Sequence, residues 1–403
     1  MKKCILSLTI SLCILISGGE IFGQGFLRTD GKKIVNEKGE NVLLRGIGLG
    51  GWMLQEPYMF QLSDVAINQT QIKKRISDLI GQKNCDDFYS SYLNNMITEK
   101  DIEALKKWGF NSIRLPMHYN LYTLPVDKEP VAGQNTWLET GFKLTDNLLT
   151  WCKKYKIYLI LDLHAAPGGQ GNDKPIADVD TTKANLWQSE ANQKKTIALW
   201  KKLAERYKSE EWIGGYDLIN ETNYKLDGNT ALKNLFVSIT KVIRDVDNKH
   251  IIFIEGNQFA NDYSGLTPPW DKNMSYSFHK YWNPNTNEEI KKYLDLRDQF
   301  NVPFWMGESG ENTNEWFKDA VNLFETHNLG WSWWTIKKIG SESSLMTISK
   351  PAGYDKIINY WAGKGPKPAV DEATKTFMDL AANVKFENCK INTGVLEALF
   401  GKK

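Results

Sequence analysis

Neither sign of charge is in excess: 50 Lys and Arg against 48 Asp and Glu leave a net charge of +2 across 403 residues. That balance offers no electrostatic footprint for nucleic acid or for an anionic membrane surface. Histidine is sparse. His118, His164, His250, His279 and His327 show no paired spacing of the kind that holds zinc, so no metal is expected. Cysteine is equally sparse: Cys4 and Cys13 fall near the N-terminus, and Cys85, Cys152 and Cys389 can neither all pair nor match a metal-site spacing. They read as buried thiols or at most one disulfide. No Pro/Gly/Ser-rich linker, repeat or low-complexity tract interrupts the chain, so a separate binding module is not indicated.

What is abundant is aromatic surface. Aromatic residues make up 12% of the chain, 15 of them Trp, within an ordinary globular composition of 41% hydrophobic and 24% charged residues. Indole offers a broad flat face with a polar N–H, which suits stacking on the apolar faces of sugar rings. Trp137, Trp187, Trp270, Trp282 and Trp316 lie in or near loops; core packing is the default for each, and Trp282, beside Tyr281, is the best candidate platform. At the N-terminus, Lys2 and Lys3 precede an apolar run over residues 4–16 and then small and polar residues to Gln24. This is the layout of a secretory signal peptide, and the run is too short to span a bilayer. Residues 1–24 are expected to be that signal and residues 25–403 a single catalytic domain, secreted or periplasmic.

From Val42 onward, apolar strand-like runs alternate with stretches of helical period, which argues for βα units and a parallel sheet. Strands are expected over residues 42–47, 111–115, 157–164, 214–220, 251–256, 276–281, 303–308 and 330–335. Helices are expected between them, in strict alternation, with 371–382 supplying the eighth. That count is the one for a closed (β/α)8 TIM barrel rather than an open doubly wound sheet. Turn signals at Asp30-Gly31 and Lys38-Gly39 predict an N-terminal hairpin that caps the bottom of the barrel. The long stretch 56–97, with a helix near 71–80, is an insertion in the first βα loop and should wall the catalytic face.

Strand ends converge on one pocket in such a barrel, and here they carry polar side chains: Arg114, His164, Asn220 with Glu221, His279 with Tyr281, Glu308, and Trp334. Each buried polar group is costly unless paired, so this many together point to a site. Two strands that each deliver a Glu are what glycosidic hydrolysis needs, one as proton donor to the leaving oxygen and one facing the anomeric carbon. Glu221 is expected to be the acid/base, with its proton retained by apolar walls and nearby negative charge, and Glu308 the nucleophile, held ionised by Arg114 and Tyr281. Asn220 would donate to the sugar 2-hydroxyl, His279 would orient Glu221 or help protonate it, and Trp334 would floor the sugar subsite. Asp162 alternates onto the face of His164 and should pair with it or with Arg114, and Glu255 ends the fifth strand as a supporting group. Gly46-Ile47-Gly48-Leu49-Gly50-Gly51 matches a dinucleotide fingerprint literally, but Trp52 to Pro57 is a poor helix start, so the glycines are read as letting backbone pass close to the pocket floor. Asn220-Glu221-Thr222 spells a glycosylation acceptor that would block the site if used, which favours a bacterial exported protein.

Arg114-Leu115-Pro116, Asp162-Leu163-His164, Asn220-Glu221, His279-Lys280-Tyr281, Gly307-Glu308 and Trp333-Trp334 together resemble glycoside hydrolase family five, of clan A, over nearly the whole chain after the leader. The resemblance implies a retaining, two-step mechanism with no metal and no organic cofactor. Residues 48–57 and 161–170 are closest to the exo-β-1,3-glucanase-like branch. There the Glu matching Glu56 helps bind the terminal sugar, so a β-glucan or β-gluco-oligosaccharide substrate is implied. Thr222 stands where that family usually has Pro after the acid/base. An endo-acting cellulase, a β-mannanase and a carbohydrate-binding barrel without turnover remain the alternatives.

Overall fold

The structure, a computed structural model, describes residues 25–401, so the expected leader lies outside the described residues. Two short strands, β1 (Arg28–Asp30) and β2 (Lys33–Val35), form an antiparallel hairpin. Eight parallel strands then close a barrel: β3 (Arg45–Gly48), β4 (Ser112–His118), β5 (Tyr158–Ala165), β6 (Ile213–Asp217), β7 (Ile251–Glu255), β8 (Met274–Lys280), β9 (Phe304–Gly310) and β10 (Gly330–Trp334). Neighbours in sequence are neighbours in the barrel, and β10 pairs with β3 to close it. The (β/α)8 TIM barrel read from the sequence is therefore the fold.

The period of two in each strand separates inside from outside. On β5, Leu159, Leu161 and Leu163 pack outward with the helices, while Tyr158 and Ile160 join Leu27, Ile34, Leu44, Ile251, Phe253 and Trp305 in a separate buried cluster. Leu27 and Ile34 bring the hairpin region into that cluster, so it does plug the barrel's lower end. The helices face the barrel with regular apolar stripes: Thr230–Arg244 buries Leu232, Leu235, Phe236, Ile239, Thr240 and Ile243, the i, i+3, i+4, i+7 pattern of one helical face.

The expected strict alternation fails at one place. Between β7 and β8 the chain makes only the short turn Asn257–Ala260, and Gln258, Phe259 and Ala260 all carry φ between +55° and +62°. Left-handed backbone cannot propagate a right-handed helix, so this crossover is a loop. Two strand ends also differ from expectation. β6 stops at Asp217, four residues short of Glu221, and Arg114 lies in the middle of β4 rather than at its end.

The first βα loop carries two helices rather than one, Gln69–Ile80 and Gln82–Met96, the first capped by the Asn68 side chain accepting from Gln71 N at 2.9 Å. After β10, β11 (Lys337–Ile339), β12 (Met346–Ile348) and β13 (Lys390–Ile391) make a small sheet, and the helix Thr393–Phe400 sets Phe400 edge-on against Phe110 at 4.8 Å. Lys337 locks these additions together. Its Nζ lies 2.7 Å from Asp101 Oδ1 and donates to the carbonyls of Met96 and Val384 at 2.7 and 2.9 Å, with both charged side chains fully buried. Removing one partner of a buried pair strands the other charge, which costs about 3–5 kcal/mol. Lys337→Met is accordingly expected to lower the urea unfolding free energy by about 3 kcal/mol or more, and a loss below about 1 kcal/mol would show that this lock is dispensable.

Candidate active site

Arg114 is fully buried at the centre of the barrel mouth and meets four carboxylates: Glu255 at 2.8 Å, Glu308 at 2.8 Å, Asp217 at 3.0 Å and Asp162 at 3.2 Å. It also donates to Asn220 Oδ1 at 2.7 Å. The eight side chains read from the sequence at the strand ends, Arg114, His164, Asn220, Glu221, His279, Tyr281, Glu308 and Trp334, are brought together. Asp162 serves both expected partners, its Oδ2 lying 3.2 Å from Arg114 Nη2 and 2.7 Å from His164 Nδ1. Asn220 Nδ2 is 3.3 Å from His164 Nε2, and Glu56 Oε1 lies 3.8 Å from the same nitrogen.

Glu221 reaches the mouth although its strand has ended. The extended chain beyond β6 keeps ladder contacts on both sides, Leu218 N to Phe253 O at 3.3 Å and Asn220 N to Leu163 O at 3.1 Å. Glu221 then turns with φ +36°, and its own N–H is held by Glu255 Oε2 at 2.6 Å. His279 Nδ1 is 2.6 Å from Glu221 Oε1, and His279 Nε2 is 3.2 Å from Glu255. Glu255 thus sits under Arg114, His279 and the Glu221 backbone together.

Glu308 is aimed inward by an irregularity. Phe278 pairs with Met306 but His279 pairs with Glu308, so Gly307 is an extra residue that shifts the alternation of β9. A Cβ at Gly307 would lie 2.2 Å from Ser277 Oγ and 3.3 Å from His279 Nε2, so only glycine fits here. Tyr281 donates its hydroxyl to Glu308 Oε1 at 2.7 Å, and Arg114 donates to Oε2 at 2.8 Å. One side-chain oxygen of Glu221, one of Glu308 and a ring nitrogen of His279 lie within 4.8 Å of one another, which brings the two carboxyl groups together.

Trp334 lines the same cavity, of about 810 Å³, with its indole parallel to the His164 ring at 5.3 Å. The glycine run lies against it: a Cβ at Gly48 or Gly50 would come within 2.7 or 2.6 Å of the indole. The glycines therefore serve close backbone approach to the floor. Trp282 borders the cavity and is 70% exposed, whereas Trp137, Trp187, Trp270 and Trp316 pack against protein neighbours. Tyr58, Asp173, Phe259 and Glu311 also line the cavity and were not anticipated. They sit on loops, where neither periodicity nor a strand end marks them.

The electrostatics depart from expectation at one residue. Burial, reinforced by the Glu221 charge, pushes the Glu308 carboxyl up to about 7 against the pull of His279, Arg114 and His164. Arg114, which also serves three other acids, does not offset that burial. Burial alone would lower both histidines, but Glu255, Glu308 and Glu221 raise His279 well above its usual range, and Asp162 and Glu56 raise His164 to about 10. Burial likewise opposes ionisation of Glu255, yet His279 and Arg114 bring it down to about 2.

Facing carboxyl groups over an indole floor, at the carboxyl end of a closed parallel barrel, make the protein an O-glycosyl hydrolase. Residues 70–340 match the family described as cellulase (glycosyl hydrolase family 5), and the chain belongs to that family. Similar proteins include a beta-xylosidase of Phanerodontia chrysosporium, 29% identical over 86% of this chain and 78% of that one. Endoglucanase C of Acetivibrio thermocellus is 24% identical over 74% of this chain and 92% of its own length. Glucan 1,3-beta-glucosidase 1 of Schizosaccharomyces pombe is 25% identical over 81% and 85%. Among solved structures, endoglucanase Cel5A from Thermotoga maritima shares the fold at a TM-score of 0.56, with 18% identity over 89% of this chain and 97% of that one.

A carboxyl raised in the folded state binds its proton there more readily than in the unfolded chain, so the folded state loses stability as pH rises from about 4.5 to about 7. Glu308→Gln removes that penalty. It is expected to raise the unfolding free energy by roughly 1–3 kcal/mol at pH 8, with the gain gone at pH 4, in paired urea titrations.

Proposed function

We propose that Glu308 is the nucleophile and Glu221 the acid/base in the retaining hydrolysis of β-glycosidic bonds in glucans. The observation that carries this reading is the carboxyl spacing. One oxygen of Glu221 and one of Glu308 lie within 4.8 Å of each other, which fits the roughly 5–5.5 Å separation of retaining enzymes better than the about 6.5–9.5 Å of an inverting pair. A Glu308 oxygen attacks the anomeric carbon as the bond to the leaving oxygen breaks, and Glu221 gives that oxygen its proton. Water then attacks the glycosyl ester, giving a proton to Glu221 and freeing Glu308.

The remaining side chains supply binding and orientation. Asn220, held by Arg114 through its Oδ1, keeps its amide N–H group beside His164 and toward a sugar 2-hydroxyl. His279 fixes Glu221, Tyr281 and Arg114 fix Glu308, Trp334 floors the glycone, and Glu56 with His164 takes its outer hydroxyls. The names of the endoglucanase and glucan 1,3-beta-glucosidase relatives support glucose as the sugar unit. The basic and apolar leader supports residues 1–24 as an export signal, residues 25–403 as the catalytic domain, and a secreted or periplasmic location.

Glu221→Gln is expected to cut kcat/KM on β-glucan oligosaccharides by about 10²–10⁴-fold, the usual contribution of a general acid/base. Glu308→Ala should abolish turnover, and proton NMR of the first product should show the β-anomer. Wild-type turnover in Glu308→Ala would end the assignment.

A further inference from the structure

Three loops meet above the edge of Trp334. Tyr58, from the first βα loop, accepts the Trp334 Nε1–H at 2.7 Å and donates its hydroxyl to Glu311 Oε1 at 3.2 Å. Glu311 follows β9, three residues after Glu308, and takes a positive φ of 55°. Lys338, from β11 and only 3% exposed, grips both Glu311 oxygens at 2.6 and 2.5 Å and lies 5.6 Å from the centre of the Tyr58 ring. Ser343 Oγ adds a bond to Glu311 Oε2 at 3.2 Å. Both Tyr58 and Glu311 line the cavity.

We propose that Tyr58 and Glu311, clamped by Lys338, form a bar that closes the glycone end of the cleft and restricts the enzyme to removing a single sugar from a chain end. The inference rests on the catalytic reading above. With Glu308 attacking the anomeric carbon, the glycone ring occupies the side of the cleft that Trp334 floors, and the leaving group lies toward Glu221. A second sugar on the glycone side would have to pass the outer edge of Trp334. That edge is where the Tyr58 hydroxyl sits, bonded on one side to the indole N–H and on the other to a carboxylate neutralised by a buried lysine. The contact between Lys338 and Glu311 is charge-assisted, with the lysine side chain 4% and the glutamate side chain 20% exposed, and the Trp334 N–H that Tyr58 takes up leaves only the indole face for a sugar. Trp282, 70% exposed at the cavity edge, braces the same bar by donating its own N–H to the Glu311 carbonyl at 3.2 Å.

The test is the product profile on reducing-end-labelled β-gluco-oligosaccharides of three to six units. Wild-type enzyme is expected to release only monosaccharide from the first time point. Tyr58→Ala, which removes the ring, should release disaccharide as well, to at least about a tenth of the monosaccharide. Glu311→Gln keeps the size but loses the charge that holds Lys338, and should do the same more weakly; it serves as the second variant if Tyr58→Ala does not fold. Tyr58→Phe, which keeps the ring, should remain closer to wild type than Tyr58→Ala. A ladder of internal products from the wild type, or monosaccharide alone from both Tyr58→Ala and Glu311→Gln, overturns the proposal. Either result leaves the roles of Glu221 and Glu308 standing, since those are decided by loss of turnover and by the anomer formed.

Discussion

One guanidinium holds the mouth of this barrel together. Arg114 is wholly buried and lies within 3.2 Å of Asp162, Asp217, Glu255 and Glu308. A buried charge is tolerable only when paired and hydrogen-bonded, and a single cation cannot neutralise four anions. The surplus is met by two imidazoles whose neighbours raise their proton affinity, His164 beside Asp162 and His279 beside Glu255 and Glu221, while burial and the Glu255 charge raise Asp217 well above the usual carboxylate range. The site is therefore a charge lattice rather than a set of separate residues. Altering any member changes the field at Glu308.

Around that lattice, position is set by where side chains are missing. Gly307 allows His279 and Ser277 to close in on β9, and its insertion turns the inward face of the strand onto Glu308. Gly48 and Gly50 leave room for Trp334 to lie flat against the backbone of the first strand and the loop after it. The interior below is filled by bulky groups, Tyr158, Phe253 and Trp305 among them, so the polar layer rests on a rigid apolar plug. Catalysis by preorganised groups depends on such backing, because geometry must not relax when charge develops.

The barrel was legible because its strands repeat with a period of two between helices of period 3.6, and because inward positions near the strand ends are polar where the rest of each strand is apolar. Glu221, Glu308 and their supports were found by that break in pattern. Glu255 was visible by the same logic, but its place beneath both Arg114 and the Glu221 backbone is a property of three dimensions. The helix missing after β7 escaped notice because three consecutive left-handed residues, none of them glycine, leave no compositional mark. Tyr58, Glu311 and Lys338 come from segments far apart in sequence with no strand-end signal, and only the folded chain puts them in contact.

The protonation pattern also bears on how the chemistry is timed. His164 and His279 are held charged well beyond neutrality and Glu255 is held ionised well below it, so the frame of fixed charges does not change across the working range. Glu308, by contrast, is brought to about 7 by burial and by the facing Glu221 charge. Arg114 and Tyr281 already donate to its two oxygens, so both donors are in place for the anion that the proposed mechanism requires at Glu308. Burial and the surplus of negative charge thus set the Glu308 carboxyl apart from the fixed charges around it.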